Sequence, residues 1–138
     1  MSVITEYLEL KTRGDCQIVD LTPEVSNKLR STGLKAGIVI VFCPGSTGGV
    51  STVEYEPGLI KDIPEFFDRI IPKGRYHHDD TWHDGNGHSH LRATLLGPSL
   101  TVPFADARLI LGTWQQIIFC DFDNKPHHRK IVLQFIGE

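Results

Sequence analysis

Between Tyr76 and His90 the chain places five of its seven histidines, His77, His78, His83, His88 and His90, together with Asp79, Asp80 and Asp84. Imidazole nitrogens with carboxylates are the ligand set that zinc and related divalent ions favour. The same groups can run acid–base chemistry without a metal, or a carboxylate can orient an imidazole from behind. The competing reading is a solvated loop whose histidines only make local hydrogen bonds.

Spacing decides what these side chains can share. His88 and His90 form an H-x-H pair, which lies on one face if the backbone is extended. The residues after them argue for a helix. Leu91 and Leu95 are one turn apart, Leu96 stands alongside, and Gly97-Pro98 reads as a stop. Asp84 or Asn86 can cap the start. If His88 is already helical, it and His90 point about 200° apart and cannot close on one ion. Both can be ligands only if the helix starts at or after His90, or if His88 lies in an extended lead-in. The Gly85-Asn86-Gly87 turn places backbone N–H groups and side chains together at a helix start, where anions are favoured.

A second group is Gly45-Ser46-Thr47-Gly48-Gly49, whose N–H groups and hydroxyls can face an oxyanion or phosphate. It lacks the lysine of a P-loop and is followed by a strand, so it is no Walker motif. The alternative is a tight turn. Glu54, four residues beyond Val50 on that strand, would face inward with it, and an inward carboxylate needs a partner or a role. Leu111-Gly112-Thr113-Trp114-Gln115 reads as a glycine bend beside a packed Trp, with Thr113 or Gln115 able to hydrogen-bond a ligand. Arg129, after His127 and His128, is either edge-strand charge or a partner for an anion.

The elements that must position these residues follow closely along the chain. Val3 to Lys11 alternates two faces and reads as a strand, and Ile18 to Leu21 as a short second one. Thr22-Pro23 opens a helix, with Thr22 as cap, Val25 and Leu29 on one face and Gly33 as its end. Ala36 to Cys43 is a β-branched run that reads as a central strand buried on both faces. Val50 to Tyr55 is a further strand. Leu59, Ile63, Phe66, Phe67 and Ile70 fall at helical spacing, with Asp62 able to cap a fresh start before Pro64. Leu100 to Pro103, Arg108 to Leu111, Gln116 to Asp121 and Arg129 to Ile136 read as strands, the last two joined through a hairpin turn at 122–126. Seven or eight strands and about three helices, with no βαβ rhythm, make an α+β protein with a mostly antiparallel sheet or sandwich.

Bulk properties exclude several classes. The 138 residues form one domain, 1–138, and 40% hydrophobic residues suffice for a real core. A net charge of −3 with no Lys/Arg stripe argues against a nucleic-acid partner. The longest apolar run, Ala36 to Cys43, is far short of the ~20 residues of a membrane helix. The start MSVITEYLELKT has no basic region ahead of an apolar one. Cys16, Cys43 and Cys120 are odd in number and widely spaced, which points to reduced, partly buried thiols in a cytoplasmic protein.

Three blocks in order, "STGGVSTVEYEPGL", "YHH…DGNGHSHLRATLLGPSLTVP" and "LILGTWQQIIFCDFD" closed by "HRKIVLQFIGE", resemble the YjbQ-type family. These are small proteins often described as secondary thiamine-phosphate synthases, and the resemblance runs from about Val3 to the C-terminus. It implies an α+β fold of two packed β-layers with helices, a homotrimer, and a histidine pocket that takes a metal or an anion. The tyrosine-linked histidine matches His78, or His77 with a one-residue slip. The pair matches His88 and His90, so the implied metal ligands are His78, His88 and His90 around a zinc or magnesium ion. Glu54 matches the acid of the glutamate-ended strand. Where many relatives carry His-Thr-Thr or His-Ser-Thr, this chain has Gly45-Ser46-Thr47, and His83, extra to the pattern, could substitute.

Together these readings assign Glu54, Asp84 and His90 to catalysis and Ser46, Thr47, Asn86, Gln115 and Arg129 to a phosphorylated substrate or anion. The implied reaction joins a pyrimidine pyrophosphate to a thiazole phosphate, with a divalent ion and loop donors on the pyrophosphate. The alternatives are a homotrimer that binds metal or anion without catalysis, and a trimer whose histidines lie at the subunit interface.

Overall fold

The computed structural model covers Met1–Glu138, and the chain forms eight strands and four helices. In order they are β1 (Ser2–Thr12), β2 (Gln17–Asp20), α1 (Thr22–Thr32), β3 (Gly37–Phe42), β4 (Gly48–Val53), α2 (Pro57–Ile70), α3 (His77–Trp82), α4 (Gly87–Leu96), β5 (Ser99–Ala105), β6 (Arg108–Leu109), β7 (Gln116–Asp121) and β8 (His127–Gly137). A five-stranded sheet runs β1-β8-β3-β5-β6 and a three-stranded sheet runs β2-β7-β4. Every pairing is antiparallel. The α+β expectation of two antiparallel layers therefore holds, with one helix more than expected.

The core lies between the layers. Leu8, Val39, Val41, Leu133 and Phe135 from the large sheet meet Val50, Ile117 and Phe119 from the small one, and α1 adds Val25 and Leu29. A smaller cluster of Cys16, Phe67, Ala93, Ile118, Cys120 and Phe122 seats α2 and α4 on the far face of the small sheet. β7 is thus apolar on both faces, as a strand covered from two sides must be. No helix is long and apolar enough to cross a membrane.

Four expectations change. β3 is buried on one face only: Val39 and Val41 are buried, while Ile38 and Phe42 are exposed on the uncovered side of the large sheet. Residues 122–126 make no hairpin, because β7 and β8 belong to different sheets and the turn crosses between layers. Thr22 does not cap α1. Its hydroxyl accepts a hydrogen bond from the Ile117 N–H at 2.8 Å, fastening the helix start to β7. Helix α2 does not restart at Asp62. It begins at Pro57, its first N–H groups are taken by the Glu56 carboxylate, and it continues through Pro64, anchored by Phe67 edge-on to Phe122 at 4.8 Å.

One polar network ties the layers at the end of the sandwich that concerns function. Asp121, at the end of β7, has no exposed surface. Arg129 on β8 donates to both of its oxygens at 2.8 Å, and Thr12 on β1 donates to one of them. Arg129 also donates to the Thr47 hydroxyl at 2.8 Å. A bidentate, charge-assisted pair of this kind fixes geometry as well as energy. Asp121→Asn removes the charge and leaves the guanidinium under-paired. It is expected to lower unfolding free energy by about 3 kcal/mol or more, read from urea denaturation. A loss below about 1 kcal/mol would show that the pair does not hold the layers.

Candidate functional site

The site begins at Gly87. A Cβ there would stand 2.7 Å from the Tyr76 Cβ, so only glycine lets the two segments touch. Tyr76 opens α3, where the Asp79 carboxylate accepts the Tyr76 N–H at 3.1 Å. Close docking of α3 on α4 then brings the His78 and His90 rings to 4.4 Å between centroids. Asp84 stands behind, 3.5 Å from His78 Nε2. Burial works against its charge, but the Asn86 N–H and His78 hold the Asp84 carboxyl below its ordinary range. Asp84, His78 and His90 thus stand side by side, the two rings tilted by 45°, and neither His90 ring nitrogen has an acceptor or donor in the chain.

His88 is not in that line. Helix α4 starts at Gly87, so His88 is helical and points away from His90, as the angular argument requires. Its side is the second core, where Arg92 lies one turn on with 1% exposure, bonded to Ile71 O and Asp68. His88 is 3% exposed, its Nε2 is 3.4 Å from Ser89 Oγ, and its Nδ1 has no partner. Nowhere do three His, Cys, Asp or Glu side chains converge to hold a metal ion. The residues present do not fit the His78/His88/His90 set within one chain. His77 is fully exposed, 3.7 Å from Asp80. His83 is the left-handed cap of α3 (φ 55°) and borders a hollow with Gly74, Arg75 and Gly85, so it does not replace a histidine at Gly45.

The glycine-rich segment does meet His90. A pocket of about 310 Å³ lies between Gly45, Ser46 and Gly48 on one side and His90, Ala93 and Thr94 of α4 on the other, closed below by Pro98. No carboxylate lines it. Only part of the segment is free loop: β4 starts at Gly48, and Thr47 O accepts the Phe122 N–H at 2.9 Å. Gly48 is required there because a Cβ would meet the Phe119 ring at 2.6 Å. Gly49 lets the end of α4 approach, since a Cβ would stand 2.8 Å from Gly97 O. Thr47 is buried and held by Arg129, so its role is to place the loop. Arg129 itself has a remaining edge. Its Nη1 donates to nothing in the chain and lies 3.3 Å from where a Cβ on Gly45 would be. Burial opposes the guanidinium charge, but Asp121 outweighs it and raises the Arg129 pKa.

The other expected residues lie elsewhere. Glu54 is past the end of β4 and exposed, so it does not face inward with Val50. Gln115 donates to Thr52 Oγ1 and accepts from the Gly112 N–H, both at 3.0 Å. Both sit at the opposite end of β4 from Gly45, a strand's length of roughly 20 Å away. Asn86 is buried and bonded to Asp123 and to the Asn124 N–H, so it joins α4 to the β7–β8 crossing and faces no ligand. All three cysteines are buried free thiols. Burial raises Cys43, and raises Cys16 to about 11, which makes them packing groups and not nucleophiles.

Burial, then the Arg92 and Lys73 charges, lower the His88 pKa below its ordinary 6.5, against Asp15 and Asp79. The unfolded chain therefore binds more protons than the folded one below that value. Stability from neutral His88 is complete above about pH 6.5 and is lost as pH falls through it. His88→Gln should flatten the fall in urea midpoint between pH 7.5 and 5.5 measured for the wild type. An unchanged slope would place the acid sensitivity elsewhere.

Comparison with known proteins agrees with this fold. The family model described as UPF0047 protein YjbQ-like matches residues 6–138. The UPF0047 protein of Archaeoglobus fulgidus is 40% identical over 92% of this chain and 97% of its own length. UPF0047 protein YugU of Bacillus subtilis is 35% identical over 94% and 97%. Among solved structures, a YbjQ-like protein of unknown function from Sulfolobus solfataricus superposes with a TM-score of 0.93, at 30% identity and 99% coverage of both chains. A hypothetical protein of Aeropyrum pernix gives 0.90 at 36% identity, covering 98% and 99%. The match runs over nearly the whole chain in sequence and in fold, and the chain belongs to the YjbQ-like UPF0047 family.

Proposed function

We propose that this protein receives the phosphate of a small molecule in the pocket between Gly45-Ser46 and His90, and acts on that molecule by acid–base chemistry. The observation that carries this is Arg129 Nη1 beside Gly45. Asp121 and Thr47 hold the rest of the guanidinium, so its free edge is preorganised. Arg129 stands behind the part of the pocket wall that Gly45 forms, and glycine there puts no side chain over that edge. The Ser46 hydroxyl and the exposed N–H groups of Gly45 and Ser46 add donors, the arrangement that stabilises an anion with little reorganisation.

His90 is the proton-transfer group in this reading, because it lines the pocket with both ring nitrogens unengaged. His78 packs on it, with the Asp84 carboxylate 3.5 Å from His78 Nε2 on the other side, which limits the ring positions His90 can take. The specific candidate within this class is attack of the ring nitrogen of a thiazole phosphate on the methylene of a pyrimidine pyrophosphate, in which the new C–N bond forms as the C–O bond to pyrophosphate breaks and His90 gives a proton to the departing pyrophosphate. If purified protein turns over that pair and His90→Ala does not, the candidate stands; equal rates remove it. We further propose the homotrimer. The uncovered outer face of the large sheet, with Val3, Tyr7, Ile38 and Phe42 exposed, supports self-association.

Calorimetric titration with inorganic phosphate at low salt tests the pocket. The wild type should saturate. Arg129→Gln, which removes a charged hydrogen bond, should weaken binding by tenfold or more. Gly45→Ala, which sets a methyl over Nη1, should weaken it in a fully folded protein, and Lys61→Gln should leave it unchanged. Equal affinity in folded Arg129→Gln and wild type would contradict the assignment.

A further inference from the structure

At the far end of β4 lies a second concavity with the opposite chemistry, and it goes beyond the phosphate reading. A groove of about 500 Å³ is bordered by Thr22, Glu54, Tyr55, Trp114 and Gln116, and a neighbouring hollow of about 360 Å³ shares Glu54 and Trp114 with it. The polar side chains around the groove are mostly engaged within the chain. Gln116 donates to Asp20 at 3.0 Å, Tyr55 OH donates to Ile18 O at 3.3 Å, and Thr22 accepts from Ile117. The Glu56 carboxylate caps α2. The Thr113 hydroxyl and Glu54 are the exceptions, and only Glu54 is charged: it is exposed, and no ion pair or hydrogen bond uses its carboxylate.

Trp114 is 71% exposed, yet its backbone is not loose. It sits at the tip of a turn closed by the Gln115 N–H on Gly112 O at 3.0 Å. The Gln115 side chain stitches that turn to itself at Gly112 and to β4 at Thr52, at 3.0 Å each. A large aromatic face is therefore held in water by a pinned turn, beside a free carboxylate and a half-exposed Tyr55. No lysine or arginine lines either hollow. An aromatic face with a neighbouring carboxylate is the arrangement that recognises an organic cation, through the ring quadrupole and direct charge pairing.

We propose that the Glu54–Trp114 groove is a binding site for a small organic cation of the alkylammonium class, separate from the phosphate pocket. The ammonium group rests on the Trp114 face with Glu54 as its counter-ion, and Tyr55 forms the opposite wall.

Trp114 emission in a Trp82→Phe background reports on the groove, since Trp82 is itself exposed and replaceable. Choline chloride should give a saturable change that potassium chloride at equal ionic strength does not. The neutral isostere 3,3-dimethyl-1-butanol should give none. Glu54→Gln should weaken choline binding by tenfold or more, while phosphate affinity at the Gly45 end stays at the wild-type value. No saturable response, an equal response to the neutral isostere, or an unchanged Glu54→Gln would each overturn the proposal. So would a response that tracks protein concentration with a rise in scattered mass, which would mean that a lysine or arginine of a second copy fills the groove. Failure here leaves the phosphate titration untouched, so the two readings fall separately.

Discussion

The Arg129–Asp121 pair is the constraint on which the rest depends. Asp121 is wholly buried where the small sheet ends, and Arg129 and Thr12 bring donors to its two oxygens from two strands of the large sheet. The same guanidinium reaches on to Thr47 and so fixes the start of the loop before β4. Three things follow from one interaction. The layers are locked in register, the loop is held against α4, and a cationic edge is left facing Gly45. Arginine can do this where lysine cannot, because its planar fork serves a carboxylate and still offers a further donor.

Glycines then decide how near the helices come. Gly87 admits Tyr76, which brings His78 to His90, and Gly49 admits the end of α4, which brings His90 to the loop. The β4 strand separates two environments. One end carries an arginine, hydroxyls, backbone N–H groups and a histidine. The other carries a free carboxylate and exposed aromatics. One small molecule cannot touch both ends within one chain.

Much of this was legible in the sequence. Alternation in β1, the β-branched run of β3, the apolar spacing of α2 and Gly33 all signalled the elements they form. The helix at Leu91–Leu95 makes the parting of His88 and His90 depend on where it starts; it starts at Gly87, so they part and the three-histidine ligand set does not form. What escaped was set by tertiary pairing. The 122–126 turn has hairpin composition, but its flanking strands find partners in different sheets. Helix α3 has no apolar period, and its only signal is the Tyr76–Asp79 spacing of a capped turn. Glu54 does not face inward because β4 ends at Val53, one residue before the alternation could turn it. Asn86 and Thr47 are the residue types that bind anions, but they are consumed by the fold. Histidine count was a poor guide: the five histidines divide into one packed pair, one buried packing residue and two on the surface.

A crystal structure of the protein grown or soaked with tungstate, a phosphate analogue of strong scattering power, tests the phosphate pocket most directly. The anion is expected between Ser46 and His90, with Arg129 Nη1 as its charged contact and Asp121 still paired behind. An anion bound elsewhere with that pocket empty, or Arg129 turned wholly onto Asp121 and away from Gly45, would contradict it.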